Sequence, residues 1–246
     1  MQADPAAQAL LLQIADIDTQ TRQATTRKRT LPEHEQLADL NQRRQQQGEQ
    51  QVVVRTRVED AETALERVEA DLAPAKARLT RNEQRLDDGL VSDPRSIKAT
   101  QDEIAHLKER IDNLEEQELE IMQRIEDENA RLAELVATRS AIEDEMRTLL
   151  ASRNATVAEI DQALQTYATQ RAALVAKMPT DLMALYHKIA ERLDTGAALL
   201  KARRCTGCGL LLDASAMARI VAAVPAEVVR CEECGRILVR TAESGL

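Results

Sequence analysis

From Leu37 onward, apolar side chains recur at alternating intervals of three and four residues. One column runs Leu37, Arg44, Gln51, Val58, Leu65, Leu72, Leu79, Leu86, and its companion runs Leu40, Gln47, Val54, Ala61, Val68, Ala75, Asn82. That spacing puts both columns on one stripe of a helix, the arrangement of a coiled-coil seam. A second run begins after Pro94 with Ile104, Leu107, Ile111, Leu114, Ile121, Ile125, Leu132, Leu135, Ile142, Met146 and Leu149. It then slips by about one position and resumes at Val157, Ile160, Leu164, Tyr167, Leu174 and Met178, a change that alters the supercoil locally without ending it.

Residues 87–94, Asp-Asp-Gly-Leu-Val-Ser-Asp-Pro, interrupt the two runs. Gly89 suits the left-handed residue after a helix, and Asp93-Pro94 suits an N-cap followed by a first helical position. The pattern therefore predicts an antiparallel helical hairpin with its tip at 87–94. The return arm, residues 94–177, is about 84 residues, or ~125 Å, whereas the outgoing arm from Pro32 is shorter. An earlier helix over roughly residues 5–30, carrying Leu10, Leu11, Ile14 and Ile17, supplies the missing length and joins near Leu31-Pro32. Pro74 falls inside the outgoing arm but off the seam, which predicts a bend there opposite an unbroken partner. The polar seam positions Arg44, Gln47, Gln51, Asn82, Glu118 and Arg139 weaken the core; register specification is the expected role, with a bound partner as the alternative.

Composition narrows the class further. There is no Trp or Phe, only Tyr167 and Tyr186 among aromatics, seven Gly and six Pro, with 30% charged residues. Sandwiches, barrels and doubly wound sheets need thicker cores and more turns than this. The expected class is mostly α: a long antiparallel coiled-coil hairpin over 1–178, a connecting helix within 179–195 and, over 196–246, a small β domain whose two Cys-x-x-Cys pairs mark it as a zinc ribbon. The net charge of -9 divides unevenly, since residues 196–246 carry seven basic and five acidic side chains. No stretch reaches the roughly 18 apolar residues of a membrane span, and the N-terminal residues lack a signal-peptide pattern, so the reading is a soluble cytoplasmic protein. Polar outer faces favour a monomer.

All four cysteines lie in the last 42 residues, as Cys205-Thr-Gly-Cys208-Gly and Cys231-Glu-Glu-Cys234-Gly, separated by 22 residues. Each pair brings two thiolates to one side of a tight turn, and the following glycine lets the backbone fold in. Two such knuckles supply four sulfur ligands, a set that suits one Zn²⁺ and leaves no open position for water, so the expected site is structural. Disulfides or a rubredoxin-type iron site are the competing uses of the spacing. Short strands are expected at 198–201, 228–230 and 237–240, with a helix capped by Asp213 between them. So small a core needs the metal to fold.

These motifs carry a resemblance. The chain resembles the bacterial C4-type zinc-ribbon family with an N-terminal coiled-coil hairpin, formerly domain of unknown function 164. The resemblance lies in Arg85-Leu-Asp-Asp-Gly-Leu-Val-Ser-Asp-Pro-Arg-Ser-Ile, Gln101-Asp-Glu-Ile-Ala-His-Leu-Lys and Val229-Arg-Cys-Glu-Glu-Cys-Gly-Arg-Ile-Leu238. Many relatives carry Asn-Pro-Lys where this chain has Asp93-Pro94-Arg95. The family implies a non-enzymatic adaptor, with nucleic-acid binding, sigma-factor or flagellar regulation and secretion-apparatus contacts among its roles.

Two functions follow as expectations. Lys201, Arg203, Arg204, Arg230, Arg236 and Arg240 flank the knuckles and are candidates for contacting RNA or DNA backbone. Against them, a tetrathiolate zinc carries -2, cancelling the segment's excess, and the ribbon has no aromatic side chain on which bases stack. Alternatively, the hairpin is a protein–protein scaffold or chaperone, for a transcription or translation factor or RNA polymerase, using an acidic tip of Asp87, Asp88 and Asp93. An enzyme is not expected: His34, His106 and His187 are isolated, and no phosphate-cradling loop or nucleophile elbow is present. Neither a small-molecule substrate nor a membrane partner is expected.

Overall fold

The computed structural model describes all residues 1–246. Helix α1 spans Pro5–Arg29, α2 Glu33–Asp87, α3 Pro94–Val175 and α4 Thr180–Leu193. Strands β1 (Ala197–Lys201) and β2 (Arg204–Cys205) precede α5 (Ala214–Ala222), which is followed by β3 (Val229–Arg230), β4 (Ile237–Val239) and a 3₁₀ turn at Ala242–Ser244. The chain divides into two compact units, residues 35–150 and residues 1–34 with 151–246. The second unit cuts across the sequence segmentation, because it joins the first helix and the end of α3 to the ribbon.

In the 35–150 unit, α2 pairs antiparallel with α3 through the two predicted columns. Leu40, Val54, Val58, Ala61, Leu72, Ala75 and Asn82 of α2 are buried, as are Leu107, Ile111 and Ile142 of α3. Ion pairs Arg57–Glu128 (3.5 Å), Lys76–Glu115 (2.6 Å), Lys108–Glu83 (2.8 Å) and Arg78–Glu103 flank the seam and run in one antiparallel register. The polar break in the seam is bonded across the helices: Gln51 Nε2 donates to the Leu135 carbonyl (3.0 Å) and Arg139 donates to Gln51 Oε1 (3.4 Å), while Glu143 on the same helix also accepts from Arg139 (3.1 Å). At the tip, Gly89 takes φ 65° and Asp93 caps α3 by accepting from Ser96 N–H and Oγ, each at 2.9 Å.

Helix α2 continues through Pro74, and α3 runs unbroken opposite it. A proline there deprives the Ala70 carbonyl of its helical donor and crowds it sterically, a cost of ~3 kcal/mol in a helix interior. Both residues are exposed, so water satisfies the carbonyl and part of that cost is relieved. Pro74→Ala is therefore expected to stabilise this unit by up to ~3 kcal/mol. A raised urea midpoint would show it; an unchanged or lowered midpoint contradicts it.

In the other unit, α1 lies antiparallel to the end of α3, tied by Lys28–Asp161 (2.6 Å) and Arg171–Asp18 (2.6 Å). The sheet has the order β2-β1-β4-β3, with β1 and β4 parallel and the other pairs antiparallel. Alternation along the strands splits the side chains between two cores. Ala197, Ile237 and Val239 pack with Leu11, Ile14, Leu182, Met183, Tyr186 and Ile189 of α1 and α4. Ala198, Leu200 and Leu238 pack with Met217 and Ile220 of α5 and with the cysteines. The ribbon thus shares its larger core with two helices, which an isolated 51-residue reading of the C-terminus does not anticipate. Residues 1–3 also pair with the ribbon: Ala3 N–H donates to the Ala226 carbonyl (2.7 Å) and Val228 N–H to that of Met1 (3.0 Å).

Candidate metal centre

The two knuckles are built alike. Cys205 ends β2, and the chain turns so that Gly209 N–H donates to the Cys205 carbonyl (2.8 Å); Gly235 N–H donates to that of Cys231 at the same 2.8 Å. Gly209 and Gly235 hold φ of 76° and 77°, the left-handed region that a side chain at this turn would make costly. The turn aims amide groups at sulfur. Gly207 and Cys208 N–H donate to Cys205 Sγ, and Glu233 and Cys234 N–H donate to Cys231 Sγ.

The four sulfurs lie within 4.8 Å of one another, with Cys205–Cys234 and Cys208–Cys231 both at 3.9 Å. A tetrahedron of sulfurs around Zn²⁺ at ~2.3 Å has edges of about 3.8 Å. The cradle therefore fits one zinc ion, and 3.9 Å is nearly twice a disulfide bond length. Cys205 and Cys231 are buried, Cys208 and Cys234 half-buried. Burial pushes the Cys205 thiol up to about 12, against the pull of its two amide donors, and raises Cys231 as well. For Cys234 burial acts upward too, but the Arg236 N–H and the neighbouring thiols hold it below the ordinary thiol range. Loading with metal thus displaces protons from sulfur. Four protein ligands leave no position for substrate or water, so the centre holds structure rather than chemistry.

The six candidate phosphate contacts all have intramolecular partners. Arg204 donates to the Gly209 carbonyl (2.6 Å) and Arg230 to the Gly235 carbonyl (2.8 Å), one bracing each knuckle from the residue before its first cysteine. Arg236 ties the second knuckle to the first and to the end of α4, through the carbonyls of Gly207 (3.1 Å), Thr195 (3.1 Å) and Leu193. Arg240 fans into the carbonyls that end α5, at Ala223 (2.8 Å), Val224 (2.8 Å), Pro225 (2.9 Å) and Glu227 (2.7 Å). Lys201 pairs with Glu243 (2.7 Å), and Arg203 reaches the Gly245 carbonyl (3.5 Å). At the tip, the Asp93 carboxylate is engaged in its cap, and that bonding to Ser96 holds it below the usual carboxylate range; Asp87 and Asp88 are exposed. His34, His106 and His187 are exposed and lie apart from the cysteines in sequence.

A second polar constellation had no signature in the sequence. Asp18 of α1 accepts from Arg171 Nε of α3 (2.6 Å) and from the Tyr186 hydroxyl of α4 (2.8 Å), while Arg171 also contacts His187 (3.3 Å). Gln8, buried on α1, donates to the carbonyls of Ala3 (2.9 Å), Pro225 (3.2 Å) and Ala226 (3.3 Å). These groups join α1, α3, α4 and the ribbon; they are clasps.

Comparisons with known proteins agree with this architecture. Residues 14–194 match the model of the CT398-like coiled coil hairpin domain, and residues 204–238 that of the C4-type zinc ribbon domain. A Mycobacterium smegmatis protein of known structure is similar over 98% of this chain and 100% of its own, at 32% identity and TM-score 0.73. The uncharacterized protein Rv2229c of Mycobacterium tuberculosis is 28% identical over 240 residues, 98% of each chain. CT398 of Chlamydia trachomatis shares the fold at 18% identity, TM-score 0.53, over 95% of this chain and 97% of its own.

Proposed function

The chain belongs to the CT398-like coiled coil hairpin family, and from that premise we propose that it is a non-enzymatic, zinc-stabilised adaptor that holds protein partners on its paired helices. One observation carries the reading. On α3, Leu119, Met122 and Val136 each follow a seam position by one residue, so they share one flank of the helix, and all three are exposed, Leu119 by 67%. The flank runs 17 residues, ~25 Å. The seam beneath is already filled by Ile121 and Leu135, so the half or more of each side chain that stays exposed is not used in the hairpin's own packing and suits a partner's apolar face. No helix of this chain is long and apolar enough to cross a membrane. The tip adds Asp87 and Asp88, whose carboxylates are free for a basic partner.

Contact with RNA or DNA through the ribbon is the competing reading. It requires Lys201, Arg203, Arg204, Arg230, Arg236 and Arg240 to serve phosphates from positions where each already has a partner. Purification of the tagged, zinc-loaded protein with and without nuclease separates the two. The expected result is protein capture that survives nuclease and is lost in a Leu119→Glu, Met122→Glu, Val136→Glu variant of unchanged helicity. Capture that nuclease abolishes, with oligonucleotide retention that falls steeply with salt, overturns the adaptor reading in favour of the nucleic-acid one.

A further inference from the structure

A groove of about 340 Å³ lies between α4 and the second knuckle. Its floor is Leu185, Ile189 and Leu193, which α4 presents at intervals of four, and its far wall is Cys234 and Gly235. Its rim carries Lys188, Arg192 and Arg230, and no carboxylate lines it. The ion pairs of this unit (Arg22–Asp194, Lys28–Asp161, Arg171–Asp18, Lys201–Glu243 and Arg219–Glu232) leave all three cations out. Arg230 reaches only the Gly235 carbonyl, so its charge has no carboxylate opposite. Sequence spacing hides this cluster, since Lys188 and Arg192 belong to a helix that the cysteine motifs do not include.

We propose that this groove docks an acidic segment of a partner protein, anchored by an aliphatic side chain. The charge on the rim calls for carboxylates, and the floor calls for a leucine-sized group between them. A nucleic acid fits the rim but not the floor: three aliphatic side chains and no aromatic ring offer a base nothing to stack on. The three rim cations outweigh the -2 of a tetrathiolate zinc behind the far wall, so an acidic partner is complementary in charge here, whereas the chain as a whole, at a net charge of -9, disfavours it elsewhere. The inference rests on the adaptor reading for its class of partner, but the groove shares no residue with the α3 flank and stands or falls separately.

The test uses full-length, zinc-loaded protein and a fluorescein-labelled peptide, Asp-Glu-Leu-Leu-Asp-Glu, followed by anisotropy. Binding is expected to weaken with added salt and to fall by about tenfold or more in Lys188→Glu/Arg192→Glu, since rim charges in a desolvated groove act together. Both residues are exposed, so zinc content and helicity stay unchanged. The peptide with Gly-Gly in place of Leu-Leu is expected to bind more weakly, which isolates the apolar floor. Absence of binding overturns the proposal, as does binding indifferent to the double substitution. An oligouridylate that binds with the same dependence on Lys188 and Arg192, and displaces the peptide, overturns it in favour of nucleic acid. If the peptide fails while capture by the α3 flank persists, the groove is lost and the adaptor reading remains; the converse result removes the flank alone.

Discussion

Stripping zinc from the loaded protein, by chelator or by Cys205→Ser/Cys231→Ser, is expected to unfold the knuckles and α5 while residues 35–150 keep their helices. On the α5 side the core consists of Ala198, Leu200, Leu212, Ala216, Met217, Ile220 and Leu238 around the buried Cys205 and Cys231. That cluster is too small to hold its turns without metal, and a tetrathiolate zinc supplies on the order of 10 kcal/mol to such a site. Emptied of metal, it places thiols in an apolar setting. The opposite face of β1 and β4 remains packed on α1 and α4 through Ala197, Ile237 and Val239. Unfolding is therefore expected to stop short of those strands. Helical circular dichroism should hardly change, because α5 has nine residues against 55 and 82 in α2 and α3. Tryptic cleavage at Arg204, Arg219 and Arg230 should instead become rapid. A metal-free protein that resists trypsin at these three sites would count against a folding role for the ion.

The second large effect is expected at Tyr186, which is fully buried where α1, α4 and the sheet meet. Tyr186→Ala is expected to cost about 3–5 kcal/mol, as for other large buried rings. Tyr186→Phe keeps the packing and removes only the hydroxyl that donates to Asp18, a loss of about 1–2 kcal/mol. The same residue sets a pH dependence. Burial, and then its bond to Asp18, hold the tyrosine hydroxyl well above its ordinary value near 10. A group raised on folding contributes its full stability below the unfolded value and loses it as pH climbs from there towards the folded one. Denaturation of the wild-type chain should therefore become easier from about pH 10 upward, and Tyr186→Phe should flatten that slope. Equal slopes in the two proteins would mean that the buried hydroxyl does not couple to folding.

The hairpin was legible because its signal is local and repeated. Columns of Leu, Val and Ile at three-and-four spacing bury the same stripe whatever else the chain does, and Asp93-Pro94 and Asp213 cap helices within a few residues of themselves. The metal centre was legible for a like reason: each Cys-x-x-Cys-Gly turn is complete within five residues. The short β2 strand and the pairing of residues 1–3 with the ribbon carried no such pattern, since both are too brief to alternate.

What the tertiary structure alone decided is the use of charge and the arrangement of the second core. Asp18, Arg171 and Tyr186 lie far apart in the chain, and no periodicity ties a carboxylate on one helix to a hydroxyl on another. Arg204, Arg230, Arg236 and Arg240 read the same in sequence whether they face phosphate or a backbone carbonyl of their own chain, because a guanidinium serves both. Folding chose the carbonyls, and it left Lys188, Arg192 and Arg230 around a shared groove. A sequence fixes which side chains are buried along a helix through local geometry; which distant groups meet is settled only when the elements pack.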